Sequence, residues 1–287
     1  MKQSSKWRRA APIVIPLSAV LLFGVVCAAV IFRDAGHRLG TLQEMQTVFR
    51  DSNYRLADVR EGKRTVPRIF LDSLPRDFHM IEGAGEKCEL FFKFMLPLIL
   101  RENEELAAAR KRAAKIASRR SPSHSDRLWL QGKMAKYRVS DAKALLAKLD
   151  SVSVSLALAQ AALESGFGAS RFAIEANALF GEWSYNGTGI IPLYRPSGMT
   201  HRVKSFDSIA GSIQSYIFNL NQTRYYFGYR KMRARMRESG GYLDGHELAK
   251  TMYNYSTRRG AYIREVQKII DRYSLSDFET ASLERAK

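Results

Sequence analysis

The chain has 287 residues, 46% hydrophobic and 26% charged, which excludes a disordered polyelectrolyte and leaves room for one substantial folded domain plus accessory segments. A formal net charge of +18 fits an anionic partner such as nucleic acid, a membrane surface or a wall polymer, and does not by itself choose among them. Two cysteines, Cys27 and Cys88, exclude a disulfide framework, and five scattered histidines offer no metal-ligand spacing.

Residues 1–10 carry Lys2, Lys6, Arg8 and Arg9, and residues 11–32 then contain no charged side chain. Such a run is long enough to cross a bilayer core of about 30 Å as a helix, and it exceeds the roughly 7–15 residues of a signal-peptide core. The sequence therefore predicts a single uncleaved anchor in the inner-membrane lipid bilayer. Its basic N-terminus lies in the cytoplasm and the remainder is periplasmic or otherwise extracytoplasmic. That topology argues against nucleic acid as the partner.

Residues 33–65 read as a polar stalk. In VPRIFLDSLPRDF, residues 66–78, Pro67 and Pro75 favour an extended strap. Leu90, Phe91, Phe94, Leu98 and Leu106 recur at helical spacing between Glu86 and Ile116, with Pro97 expected to end or kink that helix. SRRSPSHS, residues 118–125, has the composition of a linker and closes an accessory region over 66–125. One or two helices follow between Asp126 and Asp150, with Ser140 as an N-cap.

The run SLALAQAAL, residues 155–163, is almost wholly apolar and predicts a helix packed on all sides. One ionisable residue follows it, Glu164, and then Gly166 and Gly168 end the helix. Cleaving a glycosidic bond takes a carboxylic acid that stays protonated near neutral pH, and apolar surroundings push a carboxyl toward that state. Glu164 is the candidate, against the plainer reading of an exposed glutamate at a helix end. Residues 177–206, rich in glycine and aromatics and with the pair Asn186-Gly187, predict a small antiparallel β-lobe of two or three strands. Helices resume from Ser208 onward. No nucleophile elbow or phosphate loop is present, and no cofactor is expected.

The run ALAQAALESGFGASRFAIEANALFGEW, residues 157–183, resembles the signature of the bacterial N-acetylglucosaminidases of glycoside hydrolase family seventy-three. VKSFDSIAGSIQSYIFNLN (203–221) and YSTRRGAYIREVQKII (255–270) are similar to that family's later blocks. VPRIFLDSLPRDF and FFKFMLPLILRENEELAAAR look like the N-terminal part of Bax-like glucosaminidases. The resemblance implies a mainly α, lysozyme-like α+β glucosaminidase domain over 126–287, with a small β-lobe beside a sugar cleft. It implies hydrolysis of β-1,4 bonds in peptidoglycan glycan strands, with Glu164 as general acid. It also implies that Tyr255 or Tyr262 positions the substrate acetamido group or a water.

The second catalytic group is open among Glu182, Asp207 and Glu175, with Glu182 first because it follows the LFG block at the base of the β-lobe. The lobe from Ser184 to Val203 holds no Asp or Glu, which favours assistance by the substrate's own N-acetyl group. Trp183, Tyr185, Phe180 and Tyr194 offer flat faces for sugars, or else pack the lobe. A lytic transglycosylase and a non-catalytic wall-binding scaffold are the competing functions; oligomeric state is not readable.

Overall fold

The computed structural model describes residues 38–185, 187–193, 195 and 198–286. The apolar run 11–32, Cys27 and Tyr194 lie outside these, and among the described residues no helix is long and apolar enough to cross a membrane.

From residue 38 onward the segment read as a stalk is instead packed structure. Helix α1 (Leu42–Asp51) opens on a capping box between Thr41 and Glu44 and buries Met45 and Phe49; α2 (Leu56–Arg60) buries Leu56 and Val59. The polar residues that suggested a stalk form the outer faces of these helices. The strap is likewise part of the core: Val66, Phe70, Leu71, Leu74 and Phe78 are all buried. Val66 pairs with the C-terminal segment, its N–H donating to Ser282 O and its carbonyl accepting from Glu284 N–H. The strap also takes the N–H of Ile209 on Asp72 O at 2.7 Å.

Helix α3 (Ala84–Ala117) continues past Pro97, where an end or a kink was expected, so it does not end there. Proline forgoes one backbone bond at a cost of about 3 kcal/mol. Burial of Phe91, Phe92, Phe94, Met95, Leu96, Leu98 and Ile99 on either side outweighs that cost. Cys88 is free and buried, with Sγ 3.2 Å from Tyr273 Oη. After an exposed turn at 118–122 come α4 (His124–Tyr137) and α5 (Ala142–Lys148). Asp141 rather than Ser140 caps α5, its carboxylate accepting from Ala144 N–H.

Helix α6 (Val154–Ser165) is the central element, with nearly every residue buried. Its first-turn N–H groups are satisfied by Ser153 Oγ and by the carboxylate of Glu279, which accepts from Val154 and Ser155 N–H at 3.0 Å each. Then follow α7 (Arg171–Ala176), the two-residue strands β1 (Trp183–Ser184) and β2 (Arg202–Val203), α8 (Ile209–Gln222), α9 (Phe227–Glu238), α10 (Gly245–Ala249) and α11 (Gly260–Arg272). The strands pair antiparallel, Trp183 opposite Val203, and an isolated bridge joins Ile190 to Val203. The fold is thus mainly helical with a small two-stranded sheet. One hydrophobic core runs from Met45 to Leu283, so the accessory region and the C-terminal half are packed into each other.

Candidate active site

Glu164 is the next-to-last residue of α6, and Gly166 beyond it turns the chain left-handed at φ 58, ψ 47. The carboxyl is half-buried, and burial pushes its pKa above the ordinary range. A hydrogen bond from Tyr262 and the charge of Arg258 pull the other way, while Glu265 adds to the rise. The negative end of the α6 dipole also disfavours the anion. Gly181 leaves the carboxyl its space: a Cβ there would come within 3.0 Å of Glu164 Oε2. Its φ of +64° is in any case best suited to glycine.

Behind Glu164 lies a chain of polar groups inside the core. Tyr216 of α8 donates its hydroxyl to Gln160 Oε1 at 2.8 Å, and Gln160 Nε2 donates to Tyr262 Oη at 2.8 Å. Because the Tyr262 oxygen accepts from Gln160, its proton is directed to Glu164, the remaining partner of that hydroxyl. Burial and the neighbouring Glu164 charge push the Tyr262 hydroxyl far above its ordinary pKa, so it acts as a fixed donor. Tyr262, expected to hold the acetamido group, is fully buried, with its hydroxyl engaged by Gln160 and Glu164.

Tyr255 stacks on Tyr262 with ring centroids 5.4 Å apart and donates its hydroxyl to Phe180 O at 2.9 Å. Phe180, expected to offer a face to a sugar or else to pack the lobe, is buried and stacked on Tyr216 at 4.1 Å. Trp183, on the first strand of the small sheet, and Tyr185, just after that strand, do stand exposed, at 51% and 76%. Trp183 meets His201 edge-on at 4.4 Å.

Glu182 is held on one side. Its Oε2 accepts from Ser215 Oγ at 2.8 Å and faces Lys204 Nζ at 3.5 Å, while Oε1 is buried without a hydrogen-bond partner among the described residues. Its charge reaches Tyr226, whose hydroxyl is raised to about 12 by burial first and by Glu182 second. Glu175 is bound instead to Arg171 on the α7 surface at 3.2 Å, and Asp207 is exposed, so neither joins the Glu164 group. Among the described residues no cluster of His, Cys, Asp and Glu could hold a metal.

Gln160, Tyr216 and Tyr226 were not singled out from sequence. Gln160 had a readable signal: it interrupts the apolar stretch from Leu156 to Leu163 and lies one turn before Glu164, on the same face.

A half-buried carboxyl thus stands at the end of a buried helix, backed by tyrosines, with exposed aromatics two and four residues beyond Gly181. Residues 139–275 match the Glucosaminidase family model, described as mannosyl-glycoprotein endo-beta-N-acetylglucosaminidase, which defines the class as a glucosaminidase-domain protein. Over a longer stretch the chain is similar to a Bax-like protein. It is 25% identical over 198 residues to Protein bax of Escherichia coli (strain K12), an alignment covering 66% of this chain and 70% of that protein. No solved structure matches.

Proposed function

We propose that the chain is a peptidoglycan hydrolase, an endo-β-N-acetylglucosaminidase that uses Glu164 as general acid on a lysozyme-like plan. The observation that carries this is the Glu164 carboxyl: burial raises it toward the protonated state, and Tyr262 fixes its position. In this reading Glu164 protonates the leaving oxygen, and the substrate's N-acetyl carbonyl stabilises the positive charge that develops at the anomeric carbon. Glu182, bound to Lys204 and Ser215, adds negative potential at the base of the small sheet. Trp183 and Tyr185 supply sugar-stacking faces.

A lytic transglycosylase is the second reading, favoured by one observation. Glu164 is the carboxyl whose proton is held up by burial in this group, and Glu182 is ion-paired rather than free to activate water. Digestion of purified peptidoglycan by the full chain, with mass and reducing-end analysis, separates the two. The expected products carry reducing N-acetylglucosamine and one added water per cut. Anhydro-muramyl ends would transfer the assignment to the transglycosylase, and wall binding without products would make the protein a scaffold.

For placement, the reading keeps residues 11–32 as an anchor in the inner membrane, with the basic tail in the cytoplasm and the enzymatic part facing the wall, supported by the charge distribution around that run. Protease added to spheroplasts is expected to degrade the portion after residue 33. Full protection of that portion, with degradation only after lysis, would refute the topology.

A further inference from the structure

The lobe between β1 and β2 turns apolar side chains outward. Leu193, Met199 and Ile191 stand 77%, 51% and 44% exposed, in the same short stretch as the exposed Trp183 and Tyr185. Aliphatic side chains have no flat ring to lay on a sugar, so glycan stacking gives no account of these three. Exposed apolar groups gathered in one place mark a contact surface. The charge of the lobe has one sign. From Ser184 to Val203 there is no Asp or Glu, and among the described residues neither Arg195 nor Arg202 meets a carboxylate. Arg195 donates to His201 O at 3.2 Å and Arg202 to Gly189 O at 3.3 Å, which leaves both positive charges uncompensated.

The point at which the chain enters the domain lies at the root of this lobe. Arg38, first of the described residues, donates Nη2 to Asp207 O at 3.1 Å, four residues past Val203 of β2. Lys204, between Val203 and Asp207, donates its N–H to the carbonyl of Glu182, next to Trp183 of β1. Residues 33–37 alone separate Arg38 from the apolar run 11–32, and five residues span at most about 18 Å. A compact domain of this size has a radius of roughly 20–25 Å. With the apolar run anchored in a bilayer, a tether shorter than that radius turns the side holding Asp207, and the lobe rooted there, toward the membrane.

We propose that this lobe docks on an anionic lipid surface, with Leu193, Met199 and Ile191 entering the headgroup region and Arg195 and Arg202 held by lipid phosphates. The inference rests on the anchor reading above and adds a contact that an anchor alone does not provide. A spanning helix leaves the domain free to tilt on its linker, whereas apolar side chains beside cations seat it in one orientation. Lipid is favoured over a protein partner for two reasons on the molecule itself: the tether brings the bilayer to this side, and the lobe carries the opposite charge to anionic headgroups.

The test uses the full-length protein in vesicles of phosphatidylcholine, alone or with about one third phosphatidylglycerol. A photo-crosslinking amino acid replaces Leu193 or, as the control, Leu128, which is 55% exposed on α4. Position 193 is expected to cross-link lipid roughly tenfold more than position 128 in the phosphatidylglycerol vesicles, and Arg195→Gln with Arg202→Gln to lower that yield severalfold. Equal yields at the two positions, or a yield at 193 that ignores phosphatidylglycerol, overturn the inference. An adduct at 193 formed in cells with protein or glycan in place of lipid overturns it as well. An alkaline wash tests the anchor separately: if it releases the protein from the vesicles, the anchor reading fails. The inference then stands only if the released protein, added back to phosphatidylglycerol vesicles, still cross-links lipid through position 193, and it falls if no lipid adduct forms.

Discussion

Glu164→Gln is expected to lower glycan turnover by roughly 10²–10⁴-fold while raising the melting temperature at neutral pH. Glutamine keeps the shape and removes the titrating proton, so the chemical step loses its acid. The stability effect follows from the direction of the pKa. Burial raises the Glu164 carboxyl above its ordinary 4.5, so the folded state holds the proton more tightly than the unfolded chain. The wild-type protein is therefore favoured most below 4.5 and loses that contribution as pH climbs through the raised value. Above 4.5 the unfolded chain releases the proton more readily than the folded protein, so at neutral pH the half-buried carboxyl opposes folding, and glutamine relieves it. Melting curves of the two proteins should separate at pH 7 and converge near pH 4. Activity of the wild type should fall on the alkaline side, where the acid is lost. Curves that coincide at every pH would show that Glu164 is an ordinary solvated glutamate, and undiminished turnover by Glu164→Gln would remove it from the chemistry.

The second large effect is expected at Gln160. Replacing it with leucine leaves the hydroxyls of Tyr216 and Tyr262, both buried, without the partners they have at 2.8 Å. Tyr216 is orphaned at a cost of about 1–3 kcal/mol while Tyr262 keeps Glu164, so Gln160→Leu should destabilise the fold by roughly 1–3 kcal/mol, read in urea as a lower midpoint at unchanged slope. The functional signature is separate. Gln160 directs the Tyr262 proton at Glu164, and that hydrogen bond lowers the Glu164 pKa. Weakening it moves the pKa further up, so the alkaline limb of the pH profile should shift to higher pH at reduced kcat. Tyr262→Phe, which deletes the bond outright, should shift the limb the same way. A profile that stays in place in both variants would break the link between Tyr262 and the acid.

The two substitutions test an arrangement in which the reacting carboxyl is set by groups the substrate never meets. Tyr216, Gln160 and Tyr262 come from three different helices and are joined across 56 and 102 residues of chain. Glu279, from the C-terminal segment, completes the opposite end of the same helix by accepting from the N–H groups of Val154 and Ser155. Helix α6 is thereby held at both ends by side chains distant in sequence. This accounts for a core continuous with the strap and the C-terminus rather than a separate catalytic module.

The sequence alone determined the features whose cause is local. An apolar run closed by Gly166 specifies α6 and its end, and leaves Glu164 as the ionisable residue placed where helix and glycine meet. Turn glycines and aromatics placed a small sheet within 177–206, and its two short strands fall inside that span. Only the tertiary structure decided the features that depend on what packs opposite. Residues 42–60 look polar along the chain but cover the core with one face, and α3 continues through Pro97 because its surroundings are apolar. Phe180 and Tyr262, which by type and spacing could have faced a sugar, are enclosed by Tyr216, Tyr255 and Gln160. Periodicity reports which side of an element is apolar. Burial and hydrogen-bond direction depend on partners brought in from elsewhere in the chain, and those partners set the surroundings of the Glu164 carboxyl.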